Sequence, residues 1–248
     1  KTSLNTKFHE SSPAFTKDGQ TVYFTRNNYI NGKKGKDDNK ITLIKIYRAT
    51  LENGKWTNIT ELPFDSDNYS TAHPALSPDE KTLYFASDMP GTVGQSDIYK
   101  VSINGNGSYG TPMNLGKVIN TQGKETFPFV TSDNEIYFAS DGHPGLGGLD
   151  VFVGQIEDNG TISNIQNLGA DVNSPKDDFA YIIDPASRRG YFSSNKDGGQ
   201  GSDDIYKFLE TRKLQCIQEL NGIITDAQTG AVLAGTKVTL YEGTTIKS

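Results

Sequence analysis

The sequence predicts an all-β fold, a β-propeller of four-stranded antiparallel blades, and three observations support this. Glycine (26), tyrosine (12) and phenylalanine (12) are abundant, which is typical of turn-rich β structure. Asn-Gly, the strongest short hairpin signal, follows the third strand-like segment of the first three repeats. The dipeptide Tyr-Phe recurs at an interval typical of propeller blades, at positions 23–24, 84–85, 137–138 and 191–192.

Each repeat has the pattern of a meander of short strands. The dipeptide lies in SPAFTKDGQTVYFTRN, HPALSPDEKTLYFASD, FPFVTSDNEIYFASD and AYIIDPASRRGYFSSN, each a strand, an Asp-containing turn and a second strand. A third strand follows as IKIYRA, SDIYKV, LDVFVG and DDIYKF, and a weaker fourth leads into ELP or NLG. In LYFAS both faces are apolar, as expected for blades stacked face to face. Two β-sandwich domains are the alternative, but sandwiches do not repeat their sequence at this interval.

The repeats divide the chain into a propeller, 1–214, and a C-terminal segment, 216–248. We expect residues 1–10 to be the tail of a preceding blade, with one or two more blades upstream. The four visible blades cover about 11–70, 71–125, 126–178 and 179–214. The last one lacks a fourth strand, which we expect upstream sequence to supply. In the C-terminal segment, strands at Gly222–Thr225 and Lys237–Tyr241 around a Thr-Gly turn predict a partial β-sandwich.

Composition excludes several classes of function. The net charge of −6 argues against a nucleic-acid partner, because phosphate binding needs a basic face. No apolar run approaches the ~20 residues of a membrane span. Cys216 is the single cysteine, so an internal disulfide is excluded.

The motifs SPxxxxLYFAS, G-x-x-x-x-DIY and NLG-x-x-x-N together resemble the WD-type propeller repeats of TolB-like and OmpA-family proteins. With the C-terminal segment, which is similar to the start of a carboxypeptidase-regulatory-like domain, the chain resembles OmpA-family envelope proteins of Bacteroidota that serve type IX secretion and gliding. The resemblance implies a periplasmic, outer-membrane-associated protein with protein partners in the envelope. It implies peptidoglycan binding only through a downstream domain absent from this sequence. The first repeat departs from the pattern, with Lys45 in place of the aspartate before Ile-Tyr.

A glycine-rich loop joins the second and third strands and carries an aspartate ten residues after a serine in three repeats, at Asp97, Asp150 and Asp204. These carboxylates have two interpretations. They accept hydrogen bonds from loop amides and stabilise the turn, or they bind calcium, for which clustered oxygens are suited. The repetition favours the structural role. The best calcium candidates are Asp197, Asp203 and Asp204.

No catalytic motif is evident. His9-Glu10 begins a zincin-like string, but Pro13 stands where the second histidine is needed. There is no G-x-S-x-G elbow, and five arginines, two of them adjacent, do not match a sialidase-type site. We therefore expect no catalytic residues, no cofactor and no enzymatic activity.

The first repeat contains an insertion, Asn27–Lys40, and loops that differ on a rigid scaffold often carry specificity. Tyr29, Ile30, Lys33 and Lys34 are the residues in it that we expect to contact a partner, and a solvated loop is the alternative. Trp56 is either a sugar-stacking platform or, as its apolar counterparts favour, blade packing. The sequence thus predicts a non-enzymatic interaction scaffold of the cell envelope, with a carbohydrate-binding or carbohydrate-active propeller as the alternative.

Overall fold

A computed structural model describes residues 4–30, 32–214, 222–239, 241–242 and 245–246. The chain separates into two compact units, Lys1–Arg212 and Lys213–Ser248. The larger unit is a four-blade β-propeller of antiparallel sheets, which confirms the predicted fold class. None of the described segments forms a helix long and apolar enough to cross a membrane.

In the described part of the chain, three blades have four strands and the last has three. Blade one contains β1 (Glu10–Phe15), β2 (Thr21–Asn27), β5 (Ile44–Glu52) and β6 (Lys55–Glu61). A two-stranded hairpin, β3 (Tyr29–Ile30) and β4 (Lys33–Lys34), lies between its second and third strands. Blade two contains β7 (Thr71–Leu76), β8 (Thr82–Ser87), β9 (Asp97–Ser102) and β10 (Met113–Asn114). Blade three contains β11 (Glu125–Val130), β12 (Glu135–Ser140), β13 (Asp150–Ile156) and β14 (Ile162–Asn167); blade four contains β15 (Asp178–Asp184), β16 (Arg189–Ser194) and β17 (Asp204–Leu209).

The Tyr-Phe dipeptide occupies the same place in every blade, as the repeat predicts. Its phenylalanine lies on the second strand, is buried in all four blades and stacks on an aromatic ring directly opposite on the third strand. Centroid separations within these pairs are 5.4–6.0 Å, and the pairs are Phe24–Tyr47, Phe85–Tyr99, Phe138–Phe152 and Phe192–Tyr206. Cross-strand aromatic pairs stabilise a sheet beyond their buried area.

Adjacent blades pack through two kinds of sheet face. We call the side that carries the tyrosine of the dipeptide the Tyr face, and the side that carries the phenylalanine the Phe face. Tyr23 and Ile46 of blade one pack on Leu83, Phe85 and Tyr99 of blade two. The same pairing of a Tyr face with the next Phe face joins blades two and three, and blades three and four. Because both faces of a blade are covered, the middle strands are apolar on both sides.

The first strands of neighbouring blades, β1, β7, β11 and β15, contact one another in sequence order. Each contains a β-bulge, where its register with the second strand shifts. A residue at the bulge has a φ of about 50°, in the left-handed region, and these residues are Ser12, His73, Phe127 and Ala180. The bulges bend the inner strands where they line the propeller axis.

The linkers between blades are fixed by asparagine side chains. The Asn120 amide accepts from Ile98 N–H (2.8 Å) and donates to Ile98 C=O (3.1 Å), and thus bonds β9 as a backbone group would. Asn173 makes the same two bonds with Val151, at 2.7 and 2.9 Å. These two asparagines are the last residues of the NLG-x-x-x-N motif. The motif therefore fixes the linker to the third strand of its blade.

The C-terminal unit differs from its sequence prediction. Gly222–Thr225 was predicted as a strand, but only Thr225 forms a bridge, to Val232, around the turn at 227–229. Residues 237–239 of the second predicted strand are not extended in a sheet, and the strands there are β18 (Tyr241–Glu242) and β19 (Thr245–Ile246). Ile223, Val232 and Val238 are exposed, because no second sheet covers them within the described part of this unit. Cys216 lies outside the described residues.

Candidate functional site

The loop aspartates bind backbone amides of their own loops. Each carboxylate accepts hydrogen bonds from the amides three and four residues before it, at 2.7–3.3 Å, which involves Val93 and Gly94 for Asp97, Leu146 and Gly147 for Asp150, and Gln200 and Gly201 for Asp204. Burial raises the pKa of Asp150, while the bonds from Gly147 and Leu146 oppose that rise. Through these bonds, the carboxylates hold the loops in one conformation.

The loops in turn hold the linker into the next blade. In the loop of blade three, Gly148 N–H donates to Lys176 C=O (3.0 Å) on the linker into blade four. In the loop of blade two, Gln95 N–H donates to Gly123 C=O (2.8 Å) on the linker into blade three. A side chain on Gly147 would collide with the carbonyl oxygens of Ser174 and Lys176, so this position requires glycine. The glycine-rich loop is therefore a clamp between blades two and three and between blades three and four.

The three calcium candidates are not gathered around a common point. Asp197 is exposed and lies 3.7 Å from the Lys176 ammonium, Asp203 is exposed, and Asp204 accepts the two loop amides described above. Among the described residues, no group of three or more histidine, cysteine, aspartate or glutamate side chains is arranged to hold a metal ion.

Lys45, which departs from the repeat, is buried in blade one between two carboxylates. Its ammonium lies 2.9 Å from Glu61 and 2.7 Å from Asp67. Burial lowers the pKa of Lys45, but the bonds to Asp67 and Glu61 outweigh it and the net shift is upward. Asn28, from the insertion, also donates to Asp67 (2.7 Å). The lysine that replaces the aspartate of the repeat at position 45 thus forms ion pairs with Glu61 on the fourth strand and with Asp67 on the linker.

Asp65, on the same linker, has a pKa that burial raises to about 7. Its carboxylate accepts from Leu62 N–H at 3.0 Å and from the hydroxyl of Thr71. These bonds lower the pKa but do not offset the burial. Asp65 therefore titrates near neutrality while it fixes the linker into blade two.

The insertion in the first repeat covers the Phe face of blade one. Ile30 and Leu4 pack on the buried cluster of that face, which comprises Val22, Phe24, Tyr47 and Ala49. Tyr29 is half-buried and lies edge-on to Phe8, with ring centroids 4.8 Å apart. Lys33 and Lys34 are exposed. Ile30 is therefore a packing residue, and the two lysines are the part of the hairpin that faces solvent.

Trp56 belongs to the same side of blade one. It packs against the Phe-face cluster, and its ring centroid is 5.8 Å from that of Phe15. The Arg26 guanidinium lies 4.1 Å from the ring centroid of Tyr47, a cation–π geometry. Packing of this kind is the role that the sequence favoured for Trp56.

At the other end of the propeller, the Tyr face of blade four is exposed. Tyr191 has an exposed fraction of 45%, whereas its counterpart Tyr84 in blade two has 6%. Ile182 lies beside Tyr191 on this face, and Ile205 and Leu209 lie farther along β17; all three are exposed, Ile205 at 77%. We call these four residues the blade-four Tyr face. The repeat could not reveal this surface, because Tyr191 belongs to the same Tyr-Phe dipeptide as its buried counterparts.

A second candidate is a cavity of about 490 Å³ at the axis, lined by the inner strands of all four blades. His73 lines it and stacks on Phe127, with centroids 3.7 Å apart, and Phe127 in turn lies 5.0 Å from Phe179. His73 Nδ1 is 2.5 Å from the Thr126 hydroxyl. Burial lowers the pKa of His73 to about 4, so the ring is neutral at physiological pH. The sequence analysis did not predict this stack, because His73, Phe127 and Phe179 lie on the first strands of three different blades.

No protein-family model and no curated protein matches the chain. Solved structures match it in fold. An α-L-arabinofuranosidase from Lactobacillus brevis has a TM-score of 0.50 at 14% identity, over 92% of this chain and 76% of its own. A puromycin-hydrolysing peptidase from Mycobacterium tuberculosis has 0.49 at 15%, over 91% of this chain but only 28% of its own. A TolB-like protein from Agrobacterium tumefaciens has 0.42 at 16%, over 76% and 71%.

These comparisons contradict the expectation that the chain is not an enzyme. Two solved structures that share its architecture at a TM-score of 0.50 are α-L-arabinofuranosidases, which are enzymes. The expectation relied on missing sequence motifs, but catalytic groups on a propeller come from loops of different blades and need no contiguous motif. At identities of 11–16% the likeness concerns the fold alone.

Proposed function

We propose that this chain is a protein-interaction module of the bacterial cell envelope and that its partner packs on the blade-four Tyr face. The observation that carries the proposal is the exposure of Tyr191 at a position that is buried in every other blade. The three internal interfaces indicate what such a face binds, because each Tyr face meets an apolar sheet face of the next blade. A partner that presents an apolar β-sheet face fits this surface.

The composition of the blade-four Tyr face agrees with a protein interface. Ile182, Tyr191, Ile205 and Leu209 form its apolar part, and Lys207 and Arg189 lie on the same side of the sheet, opposite Tyr191 and Leu209. Contiguous exposed apolar residues with a polar rim mark interaction sites, and tyrosine and arginine are enriched where partners bind.

The envelope setting is supported by the resemblance of the repeats to those of OmpA-family proteins. In this proposal the chain lies in the periplasm beside the outer membrane, as part of a secretion or anchoring assembly similar to that of PorE. The C-terminal unit is the start of a carboxypeptidase-regulatory-like domain, and peptidoglycan is bound through a domain that lies beyond this sequence.

The axial cavity supports a second candidate, a propeller that binds or cleaves carbohydrate. Its specific observation is the stack of His73, Phe127 and Phe179 in and beside a cavity of about 490 Å³. Aromatic faces offer sugar rings an apolar platform. The cavity shares only Ile182 with the blade-four Tyr face, whereas Phe127 belongs only to the cavity and Ile205 lies outside it, so mutations at Phe127 and Ile205 separate the two functions.

The test is capture of partners from an envelope extract by the tagged chain and by two variants. Ile205→Lys places a charge at the most exposed residue of the blade-four Tyr face, and Val118→Lys, at another exposed apolar residue, is the matched control. We expect proteins that the wild type and Val118→Lys retain, identified by mass spectrometry, to be lost with Ile205→Lys. Equal capture by all three would refute the proposal. Glycan binding that Phe127→Ala abolishes and Ile205→Lys leaves intact would favour the second candidate.

A further inference from the structure

Residues of complementary polarity occupy equivalent positions on the third and fourth strands of each complete blade. In blade two, Asn114 Nδ2 donates to the Asp97 carboxylate (2.5 Å), and Asn114 lies opposite Tyr99 in the ladder. The adjacent residue, Leu115, donates its N–H to Ile98 C=O (3.1 Å). The sequence Asn-Leu-Gly thus ends the fourth strand with one side-chain bond and one backbone bond to the third.

Blade three places the same residue types at the same positions. Asn167 lies opposite Phe152, and Leu168 donates its N–H to Val151 C=O (3.1 Å). Asp150 Oδ1 and Asn167 Nδ2 are both buried without a hydrogen-bond partner among the described residues. One is an acceptor and the other a donor, and they hold the positions of the bonded pair in blade two.

Blade one keeps the pair but changes both members. Lys45 replaces the aspartate, and Glu61, opposite Tyr47, replaces the asparagine. Their ammonium and carboxylate groups are 2.9 Å apart. Because donor and acceptor have exchanged strands together, this position requires a complementary polar pair and does not require particular residues.

Blade four supplies only one member of the pair. Asp204 begins β17, and within the described residues β17 has a neighbouring strand on one side only. The other edge therefore exposes backbone groups that a further strand can bond. Asp204 is half-buried and its described hydrogen bonds come from its own loop, from Gln200 and Gly201. A fourth strand would bring the missing donor to it.

We propose that the free edge of β17 binds an extended peptide strand that carries Asn-Leu-Gly, with the asparagine amide donating to Asp204. The strand runs antiparallel to β17, its asparagine lies opposite Tyr206, and its leucine N–H bonds the carbonyl of Ile205. The proposal rests on the proposed function and replaces the expectation that upstream sequence supplies this strand, since here the partner contributes it beside the blade-four Tyr face.

The chain itself supplies the probe. A fluorescent peptide with the sequence of residues 159–170 contains β14 and its Asn-Leu-Gly, and Asn167→Asp in the peptide is the matched control because it places a carboxylate against Asp204. In fluorescence anisotropy, we expect the parent peptide to bind the full chain with a Kd at least about tenfold lower than that of the Asn167→Asp peptide. A tenfold difference is the scale of one charged hydrogen bond. We also expect it to slow hydrogen exchange of the β17 amides.

Exchanging asparagine and aspartate between the chain and the peptide distinguishes pairing at position 204 from non-specific binding. Asp204→Asn in the chain is expected to restore binding of the Asn167→Asp peptide, whereas Asp203→Asn, at the exposed neighbour, is not. The inference is overturned if the parent peptide leaves exchange in β17 unchanged, or if both peptides bind equally. Such a result leaves the proposed function standing, because capture by the blade-four Tyr face is measured separately through Ile205→Lys.

Discussion

Ser140 and Asp150, ten residues apart in the sequence, lie directly opposite each other at the ends of β12 and β13. Ser87 and Asp97 in blade two and Ser194 and Asp204 in blade four are paired in the same way. The ten-residue spacing seen in the sequence is therefore the length of the loop that returns the chain to the start of the ladder. The carboxylate closes that loop through its own amides.

Replacing Asp150 with alanine tests whether its carboxylate stabilises the loop between β12 and β13. The change leaves the amides of Leu146 and Gly147 without their acceptor, and we expect the free energy of unfolding to fall by about 1–3 kcal/mol. Urea unfolding followed by tryptophan fluorescence or circular dichroism measures it, with Asp158→Ala, at an exposed turn, as the control. We expect EDTA to leave the Tm of the wild type unchanged. A fall in Tm with EDTA would instead favour calcium binding.

Replacing Asn114 with aspartate tests the polar pair. The new carboxylate keeps the oxygen that accepts from Gly116 N–H and from the Asn120 amide, but it faces the buried Asp97. We expect a loss of about 2–4 kcal/mol at pH 7, smaller near pH 4, where one carboxyl can hold a proton. Asn106→Asp, which keeps its bond from Ser108 N–H in an exposed turn, is the control. Equal stability at pH 7 would show that the pair contributes nothing.

His73 predicts a pH dependence of stability. Burial lowers its pKa to about 4, below the ~6.5 of an unfolded histidine, so between these values the unfolded chain binds more protons. The free energy of unfolding must therefore decrease as the pH falls through this window, by up to about 3 kcal/mol from this group. Between pH 7 and pH 4, the free energy of unfolding of His73→Gln should vary less with pH than that of the wild type. His9→Gln, at an exposed site, should follow the wild type. Parallel wild-type and His73→Gln profiles would contradict the burial of a neutral ring.

Ile30 tests the role of the insertion hairpin. Because Ile30 packs on the Phe face of blade one, we expect Ile30→Ser to destabilise the chain by about 1–2 kcal/mol. Ile41→Ser, at the exposed residue directly after the insertion, should change stability by less than about 0.5 kcal/mol. Differential scanning calorimetry of the three proteins measures both effects. If the two variants melt alike, the hairpin is a surface loop and its residues are free to contact a partner.

The sequence determined those features that depend on local pattern. The position of Phe138 in LYFAS-type strands, the Asn-Gly turns and the ten-residue loops each follow from a few consecutive residues, and together they define a four-stranded blade. The same reasoning failed in the C-terminal unit, where Ile223 and Val238 have strand-like patterns but no sheet among the described residues covers them. A strand pattern forms a stable strand only where another element buries its apolar side.

Tertiary structure alone decided which repeated residues form surfaces. Tyr84 and Tyr191 each begin a Tyr-Phe dipeptide, yet one is buried and the other is exposed, because burial depends on whether a neighbouring sheet lies over the residue. The exchange of Lys45 and Glu61 is likewise visible only when the two strands are aligned side by side. The repeat thus determined the blade, whereas contacts between strands and blades, distant in sequence, decided which blade face and which strand edge are exposed for binding.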